Sequence, residues 1–178
     1  LYNALILTMK DSELITGEVW INRNRIEYLG EVKETDILFD EEVDIKGNLL
    51  MPGFKNSHAH SAMTFARSYA DDLVLDEWLH KKIFPLESKL KAKHVYHYSM
   101  LAYMEYISSG ITSVFDMYYQ PEAMMKASVD SGVRTVLCGA INNFKESPDI
   151  LEKHYNNFNN KHELISYILG FHAEYTSS

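Results

Sequence analysis

The first fifty residues alternate short apolar runs with polar turns. Short runs rich in Val, Ile, Tyr and Trp and bounded by Asn, Asp or Gly are typical of β-strands. The runs predict strands at Ala4–Leu7, Gly17–Ile21 and Arg25–Gly30, and a further strand and turn at Asp40–Asn48. Residues 1–50 therefore predict a small β-rich domain.

From residue 49 the pattern changes to apolar strands that alternate with helices. The predicted strands are Leu49–Asn56, Ile111–Tyr118, Val133–Ile141 and Ile165–Phe171. The predicted helices are Leu75–Leu90, Lys93–Ser109, Pro121–Ser131 and Asp149–Asn159. Such alternation indicates βαβ units and a parallel sheet. We expect an α/β fold in which residues 51–178 form the first half of a (β/α)₈ TIM barrel, about four βα units, with catalytic residues at the carboxyl ends of the strands.

Composition and charge narrow the class of function. The net charge of −8, without a cluster of Lys or Arg, argues against a nucleic-acid partner. No apolar run approaches the roughly 20 residues that span a bilayer, so no membrane partner is expected. The single Cys138 excludes an intramolecular disulfide framework and suits a reducing cytosol. We therefore expect a cytoplasmic protein whose partner is a small molecule.

Two histidines one residue apart, His58 and His60, follow the apolar run Leu49–Phe54. On a strand they share a face, because side chains alternate with period two. Two imidazoles that converge from one rigid element supply half of a zinc-type or iron-type site. The spacing alone leaves open a second interpretation, in which both histidines are exposed loop residues.

The surroundings of this pair resemble the amidohydrolase superfamily. The run Leu50–His60 resembles its MPGxxxxHxH signature. Met63–Arg67, Leu75–Leu79 and Phe84–Glu87 resemble its deaminase and chlorohydrolase branch, which includes the methylthioadenosine and S-adenosylhomocysteine deaminases. The resemblance extends over the whole chain. It implies a (β/α)₈ barrel, preceded in residues 1–50 by one part of a small β-sandwich.

The resemblance also implies roles for individual residues. His58 and His60 match two metal ligands of the family, and Glu87 matches a position that contacts substrate. Without the resemblance, Glu87 would be interpreted as a solvent-exposed residue on the face of a helix. His172, in a segment that resembles the family's PHxPY, is implied to bind substrate and to act as a catalytic proton donor. Glu174 stands where this motif has its second proline, which places the local loop geometry in question.

Other positions bear on the metal count and the substrate. No lysine ends the fourth barrel strand, where binuclear relatives have a bridging lysine, so we expect one divalent ion, zinc in the first place and iron as the alternative. Asp116 has two open interpretations, a hydrogen-bond acceptor near the histidines or a residue that lines the barrel mouth. Arg67 is interpreted as structuring its loop. Gly139 stands where adenosine-deaminating relatives have an arginine, so the resemblance does not fix the substrate.

The family's third histidine, aspartate and HxxE glutamate lie on later strands, beyond the positions that these residues match. We therefore expect a piece of a longer protein, inactive alone and ordered within a longer chain or a homo-oligomer. The leading hypothesis is a hydrolase of non-peptide carbon–nitrogen bonds that deaminates a heterocycle such as a nucleoside or base by metal-activated water. The alternatives are a chlorohydrolase, a cyclic-amide hydrolase and a non-catalytic barrel module.

Overall fold

The computed structural model describes residues 1–177, which form two compact units, one from Leu1 to Pro52 and one that begins at Gly53. The first unit is a four-stranded sheet of order β3-β2-β1-β4. Its strands are β1 (Ala4–Leu7), β2 (Leu14–Asn22), β3 (Arg25–Gly30) and β4 (Leu49–Leu50). The β1–β2 and β2–β3 pairs are antiparallel, and β1–β4 is parallel. Alternate residues of β1 and β2 point to one face and form a small core of Ala4, Ile6 and Val19.

The strand predicted within Asp40–Asn48 is wrong. This segment forms one isolated bridge, between Asp44 and Tyr2, in place of a ladder. The Asp44 side chain accepts hydrogen bonds from the Lys46 backbone N–H at 2.7 Å and from the Asn3 side-chain amide at 2.9 Å. Such side-chain bonds to nearby backbone compete with strand pairing and favour a turn.

The single strand predicted at Leu49–Asn56 is also wrong. The segment divides into β4, which pairs with β1, and β5 (Phe54–Ala59), which belongs to the second unit. Pro52 lies between the two strands and has no backbone N–H to donate to a ladder. At Gly53 a Cβ atom would collide with the Thr112 side chain, so the chain passes here only without a side chain.

The second unit contains a four-stranded parallel sheet in sequential order β5-β6-β7-β8. Its further strands are β6 (Ile111–Met117), β7 (Arg134–Cys138) and β8 (Ile165–Ile168). The helices are α1 (Leu75–Glu77), α2 (Phe84–Glu87), α3 (Ala92–Ser108), α4 (Pro121–Ser131) and α5 (Pro148–Phe158). Short 3₁₀ helices occupy Ser61–Ala66 and Glu174–Thr176. The mixed α/β fold with a parallel sheet is as predicted.

The helix predicted at Leu75–Leu90 is irregular. A π-helical segment, Trp78–Ile83, separates α1 from α2, and the helix ends at Glu87. π-Helical turns are rare and occur mostly at functional sites. In the described residues, no helix is both long and apolar enough to cross a membrane.

Helices α3 and α4 pack together and cover the sheet, and this core fixes the strand ends. Tyr103 of α3, Val114 of β6 and Leu137 of β7 are each at most 1% exposed. Helix α4 ends at Gly132, whose φ of +78° is the left-handed conformation that terminates helices and that glycine adopts without strain. The residues that follow each strand are thus held on a rigid base.

Candidate active site

A cavity of about 240 Å³ lies at the carboxyl ends of the four parallel strands. Three of the four site residues predicted from the sequence line it, namely His60, Glu87 and His172, whereas His58 is not among the lining residues. The apolar part of the lining comes mainly from the helical segment between β5 and α3, with Leu75, Trp78, Leu79, Ile83 and Phe84. The cavity therefore joins an apolar wall to a few convergent polar groups, as ligand sites do.

The two histidines lie at the end of β5. Their ring centroids are 5.1 Å apart and the rings meet edge to face. The Nδ1 atom of His60 lies 2.7 Å from the carbonyl oxygen of Met117, at the end of β6. Because a carbonyl only accepts, Nδ1 carries the hydrogen, and Nε2 keeps the lone pair that a metal ligand needs. The neighbouring strand therefore sets the tautomer of His60.

Asp116 fixes the backbone directly after His60. Its side chain is fully buried, and Oδ1 accepts the backbone N–H of Ser61 at 3.0 Å, while Oδ2 accepts the hydroxyl of Tyr103 at 3.3 Å. Burial raises the pKa of Asp116, and the bonds from Ser61 and Tyr103 act in the opposite direction. Of the two interpretations open from the sequence, this geometry favours an acceptor that supports the histidine segment.

The donor set is suitable for a divalent ion such as zinc, but only as part of a complete ligand set. Neutral imidazole nitrogen is a preferred zinc ligand, and catalytic zinc sites take three protein ligands as a rule. Within residues 1–177 no group of three or more His, Cys, Asp or Glu side chains is arranged to hold a metal ion. His58 and His60 could thus supply at most two of the ligands that such a site takes.

Glu87 lies at the end of α2 and faces Tyr118, which follows β6. The Tyr118 hydroxyl donates to Glu87 Oε1 at 2.8 Å. Burial raises the pKa of Glu87, while the Tyr118 hydrogen bond and the charge of Lys145 lower it. The sequence indicated Glu87 but not Tyr118, for which the only signal is a hydroxyl-bearing aromatic residue directly after a strand.

His172 follows β8 and is held by its own loop. Its backbone N–H donates to the Ile141 carbonyl at 3.0 Å, and its Nδ1 lies 2.9 Å from Thr176 Oγ1. The Thr176 hydroxyl donates to the Ala173 carbonyl at 3.0 Å, so it accepts from Nδ1–H and leaves Nε2 for a ligand. Burial lowers the pKa of His172. The Glu174–Thr176 turn forms this arrangement without the prolines of the PHxPY motif.

The remaining positions singled out in the sequence lie outside this cavity. Arg67 forms a bidentate ion pair with Glu105, at 2.8 and 2.7 Å, on the surface. This pairing is consistent with a role in structuring its loop. Gly139 is buried, and a Cβ atom there would lie 2.7 Å from the Leu151 side chain and from the Tyr167 hydroxyl. The packing of this chain therefore has no room for an arginine at Gly139.

Residues 49–177 match the model of the Amidohydrolase family. The chain is 45% identical over 137 residues to a 5′-deoxyadenosine deaminase of Methanosarcina acetivorans, covering 76% of this chain and 31% of that protein. It is 38% identical over 182 residues to a 5-methylthioadenosine/S-adenosylhomocysteine deaminase of Archaeoglobus fulgidus, covering 99% and 42%. The chain thus spans less than half the length of either relative.

The fold resembles the crystal structure of an adenosine deaminase from Xanthomonas campestris with bound zinc. The TM-score is 0.65 at 26% sequence identity, covering 74% of this chain and 33% of that one. The match to the family model covers His58 and His60 at the end of β5, the Glu87–Tyr118 pair and the His172 loop. This chain therefore belongs to the amidohydrolase family.

Proposed function

We propose that this chain is the N-terminal part of a metal-dependent hydrolase that deaminates an amino-substituted heterocycle of the nucleoside or nucleobase class. The observation that carries the proposal is one cavity that brings together His60, Glu87 and His172. The names of both curated relatives support an adenosine-type substrate. The sequential parallel strands support a (β/α)₈ barrel, of which this chain supplies about four units, after a partial β-sandwich in residues 1–50.

His58 and His60 would hold one divalent metal ion together with further ligands. Zinc is the first choice, because the solved adenosine deaminase contains it, and iron is the alternative. A divalent ion at such a site lowers the pKa of water toward about 7 and so supplies a nucleophile at neutral pH. The contribution of this chain is orientation, because the Met117 carbonyl fixes the His60 ring and Asp116 fixes the backbone that follows it.

Glu87 and His172 would bind the substrate. The Glu87 carboxylate accepts hydrogen bonds from hydroxyl or amino groups of the ligand. With its hydrogen on Nδ1, neutral His172 offers Nε2 as an acceptor, and the protonated ring donates to a ring nitrogen or to the leaving group. The apolar wall that includes Trp78 and Phe84 packs against the heterocycle and excludes water.

A substrate screen of the full-length protein tests this proposal. The screen compares adenosine-type nucleosides, guanine, pterins and chlorinated triazines, and measures the release of ammonia and of chloride. We expect ammonia release from a 5′-substituted adenosine, abolished by His60→Ala and unaffected by His97→Ala, which changes an exposed histidine of α3. Release of chloride alone, or no turnover of any amino-substituted heterocycle by metal-loaded protein, contradicts the proposal.

The cellular location and the oligomeric state of the protein are also proposals. We expect a cytoplasmic enzyme that acts on a small molecule and assembles as a homo-oligomer. Light scattering after size-exclusion chromatography of the full-length protein measures the assembly directly. A monomer at micromolar concentration contradicts the expected homo-oligomer.

A further inference from the structure

The hydrogen bond from Tyr118 to Glu87 lies in the cavity and has no part in metal binding. The hydroxyl donates to Oε1 at 2.8 Å, and both residues line the same cavity as His60 and His172. Glu87 is the last residue of α2, a helix of only four residues that follows the π-helical segment. A glutamate at such a position has three rotatable side-chain bonds, and the short helix alone does not fix its carboxylate.

Tyr118, in contrast, is fixed by the core. It follows β6 directly, and the last residue of that strand is paired in register with β7. Its ring lies 5.3 Å from the Tyr119 ring and packs against the core cluster that contains Val95, Met124 and Leu137. The position of the Tyr118 hydroxyl is therefore set by the packing of the sheet. Its hydrogen bond in turn restricts the orientation of the Glu87 carboxylate.

The hydrogen bond leaves Glu87 free to act on a ligand. A carboxylate has about four acceptor positions, and Tyr118 uses one of them, on Oε1. The positive charge of Lys145 also reaches Glu87, but the Lys145 side chain is exposed and stacks over the Tyr119 ring at 4.9 Å. Tyr118 is thus the group that gives the carboxylate a direction.

We propose that Tyr118 is a positioning residue, whose hydroxyl holds the Glu87 carboxylate in the orientation that accepts hydrogen bonds from the ribose hydroxyls of the substrate. This inference rests on the proposed function, because it takes a ribonucleoside as the ligand. Tyr118 acts through Glu87 on binding. Removal of its hydroxyl therefore weakens substrate binding more than it slows the chemical step.

The test is Tyr118→Phe in the full-length protein. For an adenosine-type ribonucleoside we expect KM to rise about tenfold while kcat changes less than about twofold, because a hydrogen bond to a charged group is lost. For the 2′,3′-dideoxy counterpart, which has no hydroxyl pair, KM stays the same. In a Glu87→Ala background, which lacks the acceptor of the Tyr118 hydroxyl, the Tyr118→Phe change has little further effect, because both changes remove the same interaction.

Tyr96→Phe is the matched control. Its hydroxyl also donates to a carboxylate, that of Asp130, at 2.7 Å, but on the surface and outside the cavity. This variant should match the wild type on both substrates. Equal losses on the two substrates for Tyr118→Phe, a fall in kcat alone, or additivity with Glu87→Ala overturns the positioning role.

A binding measurement separates this inference from the proposed function. Calorimetry measures the affinity of each variant for inosine, the deaminated product of adenosine. If the wild type binds inosine but turns over no nucleoside, the proposed function fails, and a tenfold weaker affinity of Tyr118→Phe still supports the role of Tyr118. If the wild type binds neither inosine nor any adenosine-type nucleoside, the inference about Tyr118 is overturned.

Discussion

The two sides of the cavity are held in different ways. At the carboxyl ends of β5 and β6, a fully buried carboxylate, Asp116, holds the backbone at Ser61, which is 3% exposed. At the ends of β7 and β8, two loops hold each other through backbone hydrogen bonds, from His172 to Ile141 and from Asn143 to Thr176. Core packing thus fixes the side with His58 and His60, whereas hydrogen bonds between two loops fix the side with His172.

This difference separates two tasks that one site must perform. Residues proposed to bind a metal ion need fixed positions, and on this side the Met117 carbonyl holds the His60 ring while Asp116 holds the backbone after it. Loops on a rigid scaffold can change without loss of the fold, and such loops commonly carry specificity. On the loop side Phe144 is 70% and Tyr175 is 64% exposed, although both line the cavity. We therefore expect changes on the core side to affect stability, and changes on the loop side to affect substrate choice.

The largest effect on stability is expected from Asp116→Ala. The change leaves the Ser61 N–H and the Tyr103 hydroxyl buried without their acceptor, so it lowers the free energy of unfolding by about 2–5 kcal/mol. Urea unfolding of the full-length protein measures this loss. Asp130→Ala removes an exposed carboxylate that also bonds a tyrosine, and it should change the urea midpoint far less. Equal shifts for the two variants would show that core anchoring is absent.

The second-largest effect on stability is expected at Gly139, which directly follows β7. Gly139→Ala brings a Cβ atom to 2.7 Å from the Leu151 side chain and the Tyr167 hydroxyl, so we expect a loss of about 1–3 kcal/mol. Leu151→Ala makes room for this methyl group. The double variant should therefore be more stable than the sum of the two single losses. Additive losses in urea unfolding would contradict the crowding at Gly139.

A smaller, pH-dependent effect is expected from Glu146, in the loop after β7. Its carboxylate is buried and accepts the Ala140 N–H at 3.0 Å. Burial raises the pKa of Glu146, while the Ala140 N–H and the nearby His154 lower it. Because the folded state binds this proton more tightly than the unfolded state does, its contribution to stability is full below the ordinary value of 4.5 and is lost as pH rises through the raised pKa.

Glu146→Gln tests this sign, since glutamine keeps an acceptor for Ala140 but does not titrate. The stability of the wild type minus that of the variant should fall as pH rises from 4.5 through the raised pKa. Chemical unfolding at a series of pH values provides the curve. Glu122→Gln, at an exposed position of α4, is the control and should leave the pH dependence of the wild type intact. A difference that grows with pH would mean that the folded state favours the charged form of Glu146.

The smallest effect is expected from Arg67→Ala. Arg67 and Glu105 are both on the surface, and exposed ion pairs contribute little to stability. We expect a small fall in Tm, sensitive to salt, with kcat and KM unchanged. A loss of turnover without a change in Tm would give Arg67 a direct role in catalysis and would contradict the interpretation that it structures its loop.

Strongly patterned elements could be predicted from the sequence. Helix α4 agrees with the prediction at both ends, because Pro121 starts it and Gly132 ends it. The prediction failed where the amphipathic or apolar pattern continued through a local break. The run Leu49–Phe54 is apolar throughout, yet Pro52 and Gly53 divide it between two sheets. The helix after Leu75 likewise contains a π-helical segment that periodicity does not indicate.

For the candidate site, the sequence motifs indicated individual residues but not the hydrogen-bond partners of those residues. His60, Glu87 and His172 follow from sequence segments that resemble the family, and all three line one cavity. The partner of His60 lies 57 residues away and that of Glu87 lies 31 residues away. Such partners depend on which strand ends the sheet brings together. The roles of the individual site residues stay predictions until variants are measured.

Metal analysis tests the central claim, that His58 and His60 belong to one metal site. The measurement is the metal content of the full-length protein by inductively coupled plasma mass spectrometry, for the wild type, His58→Ala, His60→Ala and His97→Ala. We predict about one zinc or iron ion per chain in the wild type and in His97→Ala, and a loss of most of it in the other two variants. A wild type without metal after growth with zinc and iron, or full metal content in both His58→Ala and His60→Ala, would contradict the account.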